Sequence, residues 1–149
     1  MPNYISNTSC LIVLSNIGQL NILEKLYGQI IISEQVAEEF GEELPEWILV
    51  REVSNENYIK ILCQAVDLGE ASTIALYFET ENPIVILDDM KARKLAGNMN
   101  LTMTGTLGVV IKAFEKGIIT DIPQILSKFQ QQGFRIPGNI VAEILAKYK

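Results

Sequence analysis

The chain has no histidine, two cysteines and one tryptophan in 149 residues. Without histidine there is no Ser-His or Cys-His catalysis and no imidazole base near neutral pH, and the commonest zinc ligand is missing. Cys10 and Cys63 stand alone and fit no zinc spacing, so two buried thiols in a reducing cytosol are expected rather than a disulfide. Basic charge is scarce as well: 12 Lys and Arg against 18 Asp and Glu leave a net charge of −6. That balance argues against a broad basic face that grips nucleic acid. It leaves room for an acidic site that recruits divalent cations, because the metal then supplies the local positive charge. Long apolar runs are missing too. Leu11–Leu14 and Ile74–Phe78 are far short of the roughly 20 residues that span a bilayer. No basic stretch precedes the first apolar run, so neither a membrane span nor a signal peptide is expected, and the expected location is cytoplasmic.

What is there is an ordinary globular composition, 48% hydrophobic and 20% charged. A chain of this length is most simply one domain over residues 1–149, able to bury roughly 68–70% of its unfolded surface without staples. The stretch that organises it is Ile84-Val-Ile-Leu-Asp-Asp-Met-Lys-Ala-Arg93. Four apolar residues run into two adjacent carboxylates and then into a helical pattern. This reads as a strand buried on both faces, in a sheet whose functional crevice lies beyond the carboxyl ends of its strands.

Further strands are expected at Asn3–Ser6, Ile30–Ile32 and Leu101–Met103, and Trp47–Val53 reads as an edge strand or simply extended chain. Between them, helices are expected from Leu11, over Leu20–Tyr27 to its Gly28 cap, and after the N-cap Ser33, with Val36, Glu39 and Phe40 on one face. Asn57–Val66 continues the pattern. Asp67-Leu68-Gly69 reads as a break before a helix over Glu70–Glu79. Met90–Asn98, Thr106–Lys116, Ile122–Gln132 and Gly138–Lys147 follow, the last with Pro137 at its first turn. Strands alternating with helices imply an α/β fold with right-handed crossovers and a mainly parallel sheet.

In such a sheet the first, fourth and fifth strands end at Asn7-Thr8-Ser9, Asp88-Asp89 and Thr104-Gly105-Thr106, and two helices bring Glu39 and Glu70 to the same edge. Glu39, Glu70, Asp89 or Asp88, and the side-chain oxygen of Asn7 form an oxygen-only ligand set, which favours Mg²⁺ or Mn²⁺ over zinc or copper. Carboxylates so gathered repel one another unless a cation neutralises them. Attack of water on a phosphodiester is the reaction that such a site suits.

Each residue also has a plainer reading. Neighbours at a strand end alternate sides, so Asp88 and Asp89 cannot both face the metal; Asp89 is read as ligand and Asp88 as cap or supporting group. Glu70 is favoured in a helix's first turn by the dipole alone, and Asn7 suits a turn. Thr8 and Ser9 orient or cap; Thr104 and Thr106 cap a helix or hold a phosphate. Lys91, Arg93 and Lys94 make either a solvated face or a contact to an RNA backbone.

Asn7-Thr-Ser, Val36-x-x-Glu39, Asp67-Leu-Gly-Glu-Ala71, Leu87-Asp-Asp-Met-Lys-Ala-Arg93 and Thr104-Gly-Thr-Leu-Gly108, in that order, resemble the PIN-domain superfamily over residues 3 to 135. The likeness is to its small prokaryotic branch, similar to VapC-type toxins. The resemblance implies a Rossmann-like three-layer α/β/α sandwich, with the C-terminal helices of 121–149 packed on it. It also implies Mg²⁺- or Mn²⁺-dependent cleavage of single-stranded RNA, pairing with a small antitoxin, and a homodimer. The family's four acids fall on Asn7, Glu39, Glu70 and Asp89. Most members have Asp where this chain has Asn7, whose amide oxygen coordinates without a negative charge. The alternative is therefore a PIN fold of weak or no catalysis that binds nucleic acid or a partner. A receiver-like phosphoacceptor domain would need an acidic pair after the first strand, where Asn-Thr-Ser stands.

Overall fold

Five short strands, β1 (Asn3–Ser6), β2 (Ile30–Ser33), β3 (Ile48–Arg51), β4 (Pro83–Ile86) and β5 (Met103–Thr104), hydrogen-bond in the order β3-β2-β1-β4-β5. Every pair is parallel, with Ile5 opposite Ile31 on one side and Val85 on the other, and Ile86 opposite Thr104. The computed structural model describes residues 1–134, 136 and 138–147; Pro137, expected at the start of the last helix, lies outside the described residues.

Period-2 alternation sorts the strand side chains into two cores. Tyr4, Ile30, Ile32, Ile48 and Ile86 face one, and Ile5, Ile31, Val85 and the adjoining Leu87 face the other. The first core is covered by α1 (Thr8–Asn16), α2 (Ile22–Tyr27), α7 (Thr106–Glu115), α8 (Ile122–Gln131) and α9 (Gly138–Lys147). The second is covered by α4 (Glu56–Leu62), α5 (Leu68–Tyr77) and α6 (Met90–Asn98). Burial on both faces is why the strands read as near-continuous apolar runs. The result is the expected α/β/α sandwich. Ile125, Leu126 and Phe129 of α8 and Ile144 of α9 belong to the first core, so the C-terminal helices are packed on the sheet's layer. No helix among the described residues is long and apolar enough to cross a membrane.

Two features of this topology position the site. From β1 the sheet grows one way to β2 and the other way to β4, so a crevice opens between the ends of β1 and β4. Helix α3 (Glu34–Phe40) buries Val36 and Phe40 in the first core and packs on both α1 and α5.

Three boundaries differ from the sequence reading in ways that matter. Helix α1 begins at Thr8 rather than Leu11, because the Asn7 side chain caps it. Helix α5 begins at Leu68 rather than Glu70. Asp67 and Glu70 form a reciprocal capping box, so what read as a break is a helix start, and Gly69 lies inside the helix. Strand β5 is shorter and later than Leu101–Met103, at Met103–Thr104. The two cysteines are free, as expected, but only Cys10 is buried; Cys63, capping the end of α4, is exposed. Burial pushes the Cys10 thiol up to about 12, an inert core thiol.

Candidate functional site

Asn7 follows β1 directly and is 2% exposed. Its backbone N–H donates to the Ile86 carbonyl at 3.2 Å, and its Oδ1 accepts the Cys10 N–H at 3.3 Å, closing the first turn of α1. Thr8, the next residue, turns its hydroxyl outward and donates to Oε1 of Glu39 at 2.6 Å. Glu39 reaches it from the last turn of α3, at the border of the face that buries Val36 and Phe40. The N-terminus of α5 completes the wall. Asp67 Oδ1 accepts the Glu70 N–H at 2.9 Å, and Glu70 Oε1 accepts the Asp67 N–H at 3.3 Å.

Asn7, Thr8, Ser9, Glu39, Asp67 and Glu70 line a small cleft of about 80 Å³. A wider one, about 330 Å³, is lined by Asp67, Glu70, Asp89 and Lys91 together with the chain after α4. Glu70 and Asp67 belong to both. The Glu70 carboxyl is pushed up to about 7, first by burial and then by the negative charges of Asp67 and Asp89, against the lowering effect of the Asp67 N–H. Near neutral pH this residue therefore holds a proton much of the time.

The two aspartates after β4 part company. Asp89 caps its own helix, its Oδ2 accepting the Ala92 N–H at 3.0 Å, and it also lines the wider cleft. Asp88 turns to α7. Gly105, the residue before α7, has no side chain to cap that helix, and Asp88 does so in its place: Oδ1 accepts the Thr106 N–H at 2.7 Å, and Oδ2 accepts the buried Thr106 hydroxyl and, at 3.4 Å, that of Ser9. The cap on the following helix thus falls on Asp89, and of the two roles expected of Asp88, cap of that helix or supporting group, its bonds to Thr106 and Ser9 make it the supporting group.

The structure brings Asn7, Thr8, Glu39 and Glu70 together in one cleft, and Glu70, Asp89 and Lys91 in the other. Arg93 and Thr104 line neither. Arg93 Nη1 donates to the Leu87 carbonyl at 2.8 Å, and Thr104 packs its hydroxyl against α7 at Gly108. Sequence reasoning missed Asp67 and Gly69 as parts of the site; the signal for Asp67 was the Asp67-x-x-Glu70 capping box, and Gly69 is explained only by Glu39 from another helix. Among the described residues, no three His, Cys, Asp or Glu side chains converge as a ready metal cage. The chemistry of the donors nonetheless fits a hard divalent cation: Glu39, Glu70 and Asp89 offer oxygen alone, and a cation would relieve the repulsion that Asp67 and Asp89 exert on Glu70.

A family model described as a PIN domain matches residues 3–149. The chain belongs to the PIN-domain family. No curated protein matches it. PIN domains are usually nucleases and generally work with divalent metal ions, so membership supports a hydrolase at a coarse level. In this PIN domain the residue after β1 is an amide whose oxygen already serves the α1 cap, leaving the amide nitrogen as its other polar atom.

Proposed function

We propose that the protein is a divalent-metal-dependent endoribonuclease acting on single-stranded RNA, with Glu39, Glu70 and Asp89 holding Mg²⁺ or Mn²⁺. The observation that carries this reading is Glu70, a half-buried carboxyl that lines two acidic clefts, beside Glu39 in one and Asp89 in the other. Bound there, the ion would supply charge neutralisation and Lewis-acid polarisation of a phosphodiester.

The protein's own groups have separable tasks. Glu70 would hold the cation as its carboxylate, so metal affinity is expected to rise with pH through the neutral range. Thr8 fixes the Glu39 carboxylate from the α1 side. Lys91, on the rim of the wider cleft, meets a phosphate of the bound strand and positions it without reading sequence. Asp88, Thr106 and Ser9 hold β4, α7 and α1 in register behind the site. The likeness of the motif series to VapC-type toxins supports extending the reading to the toxin of a toxin–antitoxin pair, a homodimer held in check by a small antitoxin.

A second reading, a PIN fold that binds RNA or a partner without cutting, is favoured by two observations. Asn7 adds no charge, and the acids as they stand are divided between two clefts. Incubating a mixed single-stranded RNA with pure protein in Mn²⁺, Mg²⁺ or EDTA, beside Glu70→Gln and Asp89→Asn, separates the two. Metal-dependent cutting that both substitutions abolish is the expected result. No cutting, together with no Mn²⁺ binding by calorimetry, would sink the nuclease reading in favour of the binding module.

A further inference from the structure

We propose that Gly69 is a positioning residue for Glu39: its bare Cα is the seat that aims the Glu39 carboxylate, whose other side meets the Thr8 hydroxyl, into the acidic site. The inference rests on the metal-binding reading of Glu39.

Gly69 is the second residue of α5 and is buried. It sits in an ordinary helix with no left-handed φ, so its backbone gives no reason for glycine. Alanine is the better helix former at such a place. The reason lies across the cleft. A Cβ on residue 69 would stand 2.9 Å from Cδ and 3.2 Å from Oε2 of Glu39, and closer still to Oε1. These three nearest atoms all belong to one carboxyl group. Its Oε1 is the same oxygen that accepts the Thr8 hydroxyl at 2.6 Å. The carboxylate is therefore held between a hydrogen-bond donor on α1 and a missing side chain on α5, at the end of α5 whose dipole favours negative charge.

A glycine kept for tight packing between helices would meet backbone or core side chains. Here the obstacle is the far end of a flexible side chain, which a methyl group would push aside without disturbing the fold. The expected effects of Gly69→Ala thus have opposite signs. The melting temperature holds or rises, while Mn²⁺ affinity falls by roughly 10–100-fold, the usual cost of losing a group that orients a ligand.

The test joins a crystal structure of the full-length Gly69→Ala protein to Mn²⁺ calorimetry on four proteins: wild type, Gly69→Ala, Glu39→Asp and the double variant. Glu39 displaced from Thr8, with a loss of affinity that shrinks when the shorter side chain of Glu39→Asp leaves room for the methyl group, supports the seat. Glu39 unmoved against Thr8, an equal loss in both backgrounds, or a Gly69→Ala chain that fails to fold would overturn it. Absence of Mn²⁺ binding by the wild type would defeat the metal reading instead, and the position of Glu39 in the Gly69→Ala crystal would still decide the seat.

Discussion

The two halves of the crevice are built from the same residue type and treat it oppositely. On the α7 side, Asp88 accepts three hydrogen bonds, from the Thr106 N–H, the Thr106 hydroxyl and the Ser9 hydroxyl, and Arg93 ties the adjoining Leu87 carbonyl. On the α5 side, Glu70 accepts one backbone N–H, while burial first and then the charges of Asp67 and Asp89 raise its pKa. A carboxylate given donors is a structural clamp, because charge-assisted hydrogen bonds hold it in place. One given carboxylate neighbours is destabilised unless a cation or a proton arrives. Composition does not distinguish the halves. The supply of donors does, and it sets which acid is held ready for a ligand.

Neutralising the crowded half should cost the most function and the least stability. Glu70→Gln is expected to lower Mn²⁺ affinity by more than about 100-fold, beyond the usual range for an outer-shell partner, since it removes an oxygen common to both clefts. Thermal melts of the metal-free protein at pH 7 should show little loss, and calorimetry supplies the affinity. An unchanged Mn²⁺ isotherm would break the contrast between the halves. The complementary change is Asp88→Ala. It strands the buried Thr106 hydroxyl and the first N–H of α7, and should destabilise by about 2–3 kcal/mol, read by urea unfolding. Asp89→Ala, which removes one helix cap, should cost about 1 kcal/mol. Equal losses at the two aspartates would refute the assignment of Asp88 as the clamp.

Asn7→Asp sharpens the comparison from the other direction. A carboxylate there can cap α1 with one oxygen and turn the second toward Glu39 and Glu70, adding a charged donor to the crowded half. Mn²⁺ affinity should rise about tenfold, worth about 1.4 kcal/mol. The metal-free protein should lose stability from the added repulsion. Calorimetry and a metal-free melt on the same preparation check both signs, and a variant that binds no more tightly would show that position 7 does not face the ion.

Much of this arrangement was legible before the fold was known. Ile84–Leu87 running into Asp88-Asp89 marked the strand end, Ser33 marked a helix start, and the apolar strands marked a sheet covered on both sides. What could not be read was decided by distant partners. Alternation said that Asp88 and Asp89 part, but which of them turns inward depends on Gly105, a helix start with no capping side chain of its own. Asp67-Leu68-Gly69 carries the turn-forming residues of a loop. Only its reciprocal bonds with Glu70 make it a helix start, and only Glu39, from another helix, explains the glycine. Likewise Arg93 sits on the exposed-looking pattern of α6, yet the free carbonyl of Leu87 draws it inward.

The smallest expected effect is a pH dependence, and its sign follows from the burial and crowding of Glu70. A glutamate has an ordinary pKa of 4.5, and in the fold this one is raised to about 7. Between those values the folded protein binds more protons than the unfolded chain, so unfolding free energy falls as pH rises. The contribution is fully present below pH 4.5 and is lost as pH passes through 7. Glu70 is only half-buried, so solvent screening cuts the effect to on the order of 1 kcal/mol. Metal-free wild type should therefore lose stability relative to Glu70→Gln between about pH 5 and pH 8 in parallel urea titrations. Saturating Mn²⁺ should reverse that trend, because the ion competes with the same proton and stabilises the folded state more as pH rises. Parallel stability curves for the two metal-free proteins would show that Glu70 is not crowded in solution, and the two halves of the crevice would then differ in hydrogen bonds alone.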